Sequence, residues 1–254
     1  MKKTKNPNRG VLYIAFGENF LKEMLFSAES VKKHNPGLHI TAFVDKPVQS
    51  EFIDQVEIIN VAHLRPKIDY IEMTPYEQTL FLDTDTVIDY NIEDMFELLN
   101  NFDIALGHDL ARKRKKYSTA IPEYGDIPYI FSEVNTGVIV FQQNERVKKL
   151  LRTWRETFYR YYNISPWDQP SFRVSLWKGT LEDGLKLYIF PVEYNIRSKA
   201  NREKQRRFHH EFGEEHLKAR IYHMHADTRI NQGTYEVESV DEALEFCEKN
   251  FLEY

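Results

Sequence analysis

Residues 79–89, T-L-F-L-D-T-D-T-V-I-D, join a dry apolar run to two aspartates one residue apart. Leu80, Phe81 and Leu82 form a short continuous apolar segment, the pattern of a strand buried on both faces inside an α/β sheet. Side chains alternate along a strand, so Asp83 and Asp85 are expected to point the same way at its C-terminal end, where open α/β sheets bind ligands. Two carboxylates held that close repel each other unless a cation sits between them. A hard divalent ion carrying phosphate oxygens suits such a pair, since Mg²⁺ and Mn²⁺ are held by one or two carboxylates plus the substrate. An isolated D-x-D triplet is more often a pair of solvated loop charges. Its place at the end of a buried run, with Thr84 and Thr86 interleaved, is what favours a metal site.

Upstream, Val11 to Phe16 (V-L-Y-I-A-F) is a first buried strand ending at Gly17. Phe20, Leu21, Met24, Leu25, Ala28 and Val31 then recur with helical spacing, and His34-Asn35-Pro36-Gly37 closes that helix. Residues 38–44 and 56–61 are further strands. The β-α-β alternation predicts an α/β fold with a mainly parallel central sheet flanked by helices. A nucleotide would lie across the C-terminal ends of the first strands, near Ala15, Phe16 and Gly17. Neither G-x-G-x-x-G nor G-x-x-x-x-G-K occurs there, so dinucleotide and P-loop readings lose their main support.

With 254 residues and 42% hydrophobic content, the chain can bury one substantial core, and a single domain over 1–254 is expected, with 1–10 flexible. The net charge of −5 gives no support to a dedicated nucleic-acid binder. The only cysteine, Cys247, excludes an internal disulfide and a Cys-rich zinc site. The apolar run at 11–16 is too short for a signal core or a membrane span, so a cytoplasmic location is expected, or a host cytoplasm for a viral source.

Downstream, Asn91 and Asp94 start a helix carrying Ile92, Met95, Phe96, Leu98 and Leu99, and residues 102–106 make another strand. Residues 112–116, R-K-R-K-K, are the densest basic run; such a run is usually a solvated loop, and its place after a strand end suits a lid over a diphosphate or an anionic acceptor. In Val134 to Phe141, V-N-T-G-V-I-V-F, residues 138–141 are a buried strand, with Asn135 and Gly137 just before it, where a small residue allows backbone to approach a sugar. Residues 145–162 form an amphipathic helix with a core stripe that includes Trp154. Trp167-Asp168-Gln169-Pro170 reads as a helix start with Asp168 as cap and Pro170 in the first turn. Residues 187–190 are a strand preceding Tyr194-Asn195, and 197–210 are polar and strongly basic. In Ile221 to Ala226, I-Y-H-M-H-A, alternation puts His223 and His225 on one face, although a lone histidine is more often structural than a ligand. A Ser239/Glu242 capping box opens a last helix.

The run P-K-I-D-Y-I-E-M-T-P-Y-E-Q-T-L-F-L-D-T-D-T-V-I-D at 66–89 resembles the D-x-D region of GT-A-fold nucleotide-sugar glycosyltransferases, the family 8 type in particular. The V-N-T-G, W-D-Q and late Y-N elements are similar to that family's as well. The resemblance implies a single GT-A domain that is Rossmann-like, moving a hexose from a nucleotide-diphosphate sugar, a UDP-sugar first of all, to a hydroxyl acceptor with retention. It implies a Mn²⁺ or Mg²⁺ site of Asp83, Asp85 and a late histidine. The family's apolar-apolar-His-x-x-Gly pattern selects His223, with Ala226 in place of glycine. Because the usual Lys-Pro-Trp is replaced by Asp227-Thr228-Arg229, His225 stays an alternative ligand, and Arg229 a substitute for the pyrophosphate contact. The resemblance places Asp168 on the hexose hydroxyls, Gln169 beside the anomeric carbon, and a basic residue, Lys67 or its neighbour Arg65, on the donor. A carboxylate next to an amide suits vicinal hydroxyls. Gln169 is a poor nucleophile, which speaks against a covalent intermediate through it. An inverting enzyme would need a carboxylate base instead, with Asp109, Asp126 or Glu133 as candidates. Glycan, protein, lipid and small-molecule acceptors all remain open, and two other classes stand beside this reading: a sugar nucleotidyltransferase, whose Gly-rich basic loop is replaced here by F-G-E-N-F, and a non-catalytic binding protein.

Overall fold

The computed structural model describes residues 7–109, 112–197, 218–223, 239–242 and 244–245. The expectations for His225, for Arg229 and for the basic stretch after Arg197 lie outside the described residues. The chain opens with β1 (Arg9–Ala15), α1 (Gly17–His34), β2 (His39–Val44) and β3 (Gln55–Ile58). A short α2 (Lys67–Tyr70) leads to β4 (Gln78–Leu82) and, three residues later, β5 (Thr86–Ile88). A 3-10 helix over Glu93–Asn100 precedes β6 (Ile104–His108), α3 (Lys115–Ala120), α4 (Pro122–Asp126) and β7 (Val134–Gln142). Two long helices, α5 (Glu145–Tyr161) and α6 (Asp168–Glu182), are followed by β8 (Leu187–Ile189) and β9 (Ile221–His223). Among the described residues, no helix is long and apolar enough to cross a membrane.

The main sheet has the order β3-β2-β1-β4-β7-β6-β8. The pairings β3-β2, β2-β1, β1-β4 and β6-β8 are parallel, while β7 runs antiparallel to both β4 and β6. The mainly parallel α/β expectation holds, with one reversed strand at the centre. Central strands buried on both faces must be apolar throughout, and Leu80, Phe81, Leu82, Val138, Ile139, Val140 and Phe141 all are. Asn135 and Gly137 lie inside β7 instead of ahead of it. The helix expected at Asn91 is a 3-10 helix, and the Asn91 side chain accepts from the Glu93 amide at 3.0 Å.

Helix α1 buries Leu21, Met24, Ala28 and Val31 on one stripe. It also carries a polar stripe that apolar periodicity does not reveal. Tyr13 Oη lies 2.7 Å from Ser27 Oγ, Ser27 Oγ lies 2.8 Å from Thr86 Oγ1, and Thr86 Oγ1 donates to the Asp83 carbonyl at 2.9 Å. That last donation uses the threonine proton, so Ser27 must donate to Thr86, and Tyr13 to Ser27. Burial pushes the Tyr13 phenol well up from its ordinary value, which keeps it a donor. Farther along, the Ile88 amide donates to Ser30 Oγ at 2.9 Å and the Ile92 amide to Asn35 Oδ1 at 2.8 Å. One helix thereby fixes the backbone from Asp83 to Ile92.

A second, two-stranded sheet pairs β5 with β9 antiparallel, with Thr86 opposite His223. This ribbon brings residues far apart in sequence to the same end of β4. Replacing Thr86 by Val leaves the Ser27 hydroxyl without its acceptor, and should lower stability by about 1–3 kcal/mol. Denaturant midpoints for the native chain and Thr86→Val check this, with an unchanged m-value expected.

Candidate active site

Strand β4 ends at Leu82, and Asp83 to Asp85 turn into β5. The turn is tied to the central sheet by the Asp83 amide, which donates to the Gly137 carbonyl at 2.7 Å. Both carboxylates face His223, whose Nε2 is 3.3 Å from Asp85 Oδ1 and 3.9 Å from Asp83 Oδ2. One ligand atom from each of the three lies within 4.8 Å of the other two.

The orientation of the imidazole follows from a chain of amides behind it. Asn135 Oδ1 accepts from the Gly137 amide at 3.0 Å and from Asn195 Nδ2 at 3.1 Å. Asn195 therefore turns its oxygen to His223 Nδ1, 3.0 Å away. An oxygen there needs a proton on Nδ1, which leaves the Nε2 lone pair facing the two carboxylates. Histidine ligands are usually held this way, by a hydrogen bond on the other ring nitrogen. Two carboxylate oxygens and one imidazole nitrogen fit a Mn²⁺- or Mg²⁺-type ion bound jointly with substrate oxygens. Gly137 is required here for space: a Cβ on it would lie 2.2 Å from His223 Cε1 and 2.6 Å from Asp83 Oδ2.

The second half of the site is held by Lys67, on the first turn of α2 and only 9% exposed. Its ammonium is 3.0 and 3.2 Å from the two Asp83 oxygens, 3.2 Å from Asp168 Oδ2 and 3.1 Å from the Thr136 carbonyl. Burial alone would lower Lys67, but Asp168 and Asp83 outweigh it and hold the ammonium above its usual value. Asp168 shows the converse. Burial pushes its carboxyl up, while Lys67, Arg65 and the Thr136 hydroxyl at 2.7 Å hold it at about 2. Asp168 is the first residue of α6 and not its cap, since Trp167 occupies the capping position. Pro170 does stand in the first turn, and the core residue Trp154 on α5 donates its indole N–H to the Asp168 carbonyl at 3.0 Å.

These groups border a cleft of about 390 Å³, within the usual range for ligand sites. Phe16, Lys67, Asp83, Thr84, Asp85, Asn135, Asp168, Gln169 and His223 all line it. Ala15, Gly17 and Gly137 are not among its lining residues. Ala15 is buried at the end of β1, Gly17 turns the chain into α1 with φ of 72°, and Gly137 packs behind the acidic cluster. Of the possible inverting bases, Asp109 lines the cleft but is paired with Arg114 at 3.3 Å and Arg197 at 2.5 Å. Glu133 is fully buried and accepts from Tyr124 Oη at 2.6 Å, its carboxyl pushed up by burial. Asp126 is exposed in α4, away from the cleft. Sequence reading missed the part played by Thr136, a residue type common in strands for other reasons. Apolar periodicity marked Trp154 only as core.

A mainly parallel sheet with an acidic cluster and a sugar-sized cleft at the ends of its strands is the architecture of GT-A nucleotide-sugar glycosyltransferases. Solved structures of that class superpose on it. A galactosyltransferase LgtC in complex with donor and acceptor sugar analogues gives a TM-score of 0.57 at 12% identity, covering 85% of this chain and 87% of that one. The glycosyltransferase GlyE of Streptococcus pneumoniae gives 0.54 at 15% identity, covering 85% of this chain and 54% of that one. Mouse xyloside xylosyltransferase 1 gives 0.56 at 12% identity, covering 87% and 99%. The chain belongs to the nucleotide-diphospho-sugar transferase family, whose family model matches residues 77–249. It is accordingly a glycosyltransferase, with a nucleotide-sugar donor and a hydroxyl acceptor. No curated protein sequence matches it.

Because the folded-state carboxyl of Asp168 lies below its ordinary 3.8, at about 2, its pairing stabilises the protein fully above pH 3.8. That contribution is lost as pH falls toward 2. Asp168→Asn should therefore show a smaller loss of stability on acidification over this window than the native chain, measured by denaturant midpoints against pH in the absence of ligands.

Proposed function

We propose that the chain transfers a hexose from a UDP-type sugar donor to a hydroxyl acceptor, with a divalent metal ion and with retention of anomeric configuration. The observation that carries this reading is the convergence of Asp83, Asp85 and His223 on one cleft with Lys67, Asp168 and Gln169. A metal ion held by the first three residues would stabilise the negative charge that develops on the diphosphate, a contribution of several kcal/mol in such enzymes.

The protein's own groups supply orientation and charge balance. Phe16, beside Ile14 and Phe20 at the end of β1, offers an apolar surface for the nucleoside. Asp168, Gln169 and Asn135 are assigned to the hexose, a paired acceptor and amide being suited to adjacent hydroxyls. Lys67 keeps Asp168 ionised and therefore able to accept from two hydroxyls at once. The pairing of Asp109 with two guanidinium groups disfavours it as a general base, and the burial of Glu133 keeps it from a water-bearing face. Both points support retention over inversion.

UDP with Mn²⁺ should raise the thermal midpoint of the native chain, and UDP alone should do so much less. Asp85→Ala should fold and lose the metal-dependent increment, and Gly137→Ala should lose it as well as stability, because its methyl group would enter the space of His223 and Asp83. A full increment in Asp85→Ala would remove the metal assignment. The stereochemical half of the proposal is checked by NMR of the first product formed from an α-linked UDP-hexose, where an α-anomeric product is expected and a β-anomer would overturn retention.

A further inference from the structure

The cleft is electrically polarised. At the end formed by β4, β5 and β9, Asp83, Asp85 and Glu23 line it. Around the carboxylates of Asp109 and Asp168, Arg65, Arg114, Lys116 and Arg197 line it. Asp168 also shares Lys67, and Asp109 is already contacted by two guanidinium groups. Among the described lining residues, cationic side chains therefore outnumber carboxylates around Asp109 and Asp168. Lys116 has no carboxylate within ion-pair distance among the described residues, and its ammonium rests 4.7 Å from the Tyr117 ring centroid and 5.6 Å from that of Trp167. The Arg65 guanidinium lies 5.0 Å from the Trp167 ring, with its Nε 3.3 Å from Asp168.

Trp167 is 47% exposed, an unusual state for an indole at the mouth of a cleft. It immediately precedes Asp168 and Gln169, so it stands beside the position proposed for the donor hexose, and it lines the same cleft. The part of the indole that Arg65 and Lys116 leave exposed offers apolar surface to the C–H face of a second ring. Arg65 and Lys116 beside it donate ordinary hydrogen bonds to a neutral sugar's hydroxyls, and stronger, charge-assisted ones to a carboxylate or phosphate.

We infer that the acceptor is a saccharide bearing a negatively charged substituent, seated against Trp167 with its anionic group on Lys116 and Arg65. This rests on the donor reading proposed above. The basic run at 112–116 then serves acceptor recognition, and Arg114 turns inward to Asp109 while Lys116 stays available at the rim.

The test uses the full chain saturated with UDP and Mn²⁺, titrated with methyl β-D-glucuronide and with methyl β-D-glucoside and followed by ligand-observed NMR. These probes differ only in the C6 carboxylate. The glucuronide should bind roughly tenfold more tightly, an advantage that shrinks with added salt. Lys116→Ala should erase most of that preference, and Trp167→Ala should weaken both glycosides, while the UDP–Mn²⁺ midpoint shift persists in each variant. Equal affinities, no binding of either glycoside, or a preference that survives in Lys116→Ala would overturn the inference with the donor site intact. Absence of the UDP–Mn²⁺ shift in the native chain would instead overturn the donor reading and this inference with it.

Discussion

A single buried ammonium joins the two halves of this site. Lys67 reaches Asp83 on the turn after β4, Asp168 at the start of α6, and the Thr136 carbonyl on β7. A charge this deep is costly unless it is paired and hydrogen-bonded, and removing one partner of such a pair leaves the others uncompensated. The three elements are thus held to one geometry by electrostatics, although none follows another directly in the sequence. Asp83 belongs to both clusters, since it faces Lys67 on one side and His223 on the other. A cation at the acidic cluster would for that reason be linked to the state of the Asp168 carboxylate.

Neutral hydrogen bonds set what the charges alone could not. The chain from Tyr13 through Ser27 and Thr86 fixes the Asp83 carbonyl, and the Asn135–Asn195 pair fixes the ring of His223. Both routes have a defined direction of donation, so each polar group has one role. Buried polar networks stabilise only when fully satisfied. Here they hold the Asp83 carbonyl and the His223 ring in place, the arrangement that a metal site would need if its ligands are to stay put without the ion.

The sheet was legible because apolar runs such as 80–82 and 138–141 are short and bounded by polar residues, which favours buried central strands over helix. The aspartate pair was legible because it interrupts such a run. His223 was placed by a family pattern, and its burial to 2% exposure explains why local polarity could not have found it. Gly137 illustrates the limit. Its sequence position suggested close approach of a sugar, whereas the space it keeps open is filled by His223 and Asp83. For Asp168 the local residues suggest a helix cap and the resemblance a contact to the hexose hydroxyls, while its partners in the fold lie on α2 and β7, beyond any local pattern. The Ser27 and Ser30 stripe of α1 was hidden for a related reason: serines on a buried helix face look like breaks in an apolar pattern until the strand they hold is known.

An Asp168 already engaged by Lys67, Arg65 and Thr136 constrains how a donor can be recognised. A carboxylate has about four acceptor positions, of which Lys67 and the Thr136 hydroxyl take two, while Arg65 lies beside it as an ion pair. A hexose placed there as proposed would displace Arg65 most easily, since its guanidinium also rests on the Trp167 ring while Lys67 has only buried surroundings. Donor entry would then release Arg65 toward the mouth of the cleft, where cationic side chains already outnumber carboxylates among the described lining residues. The same exchange that seats the hexose would sharpen the cleft's attraction for an anionic second substrate, giving the two sites a physical reason to fill in the order donor, then acceptor.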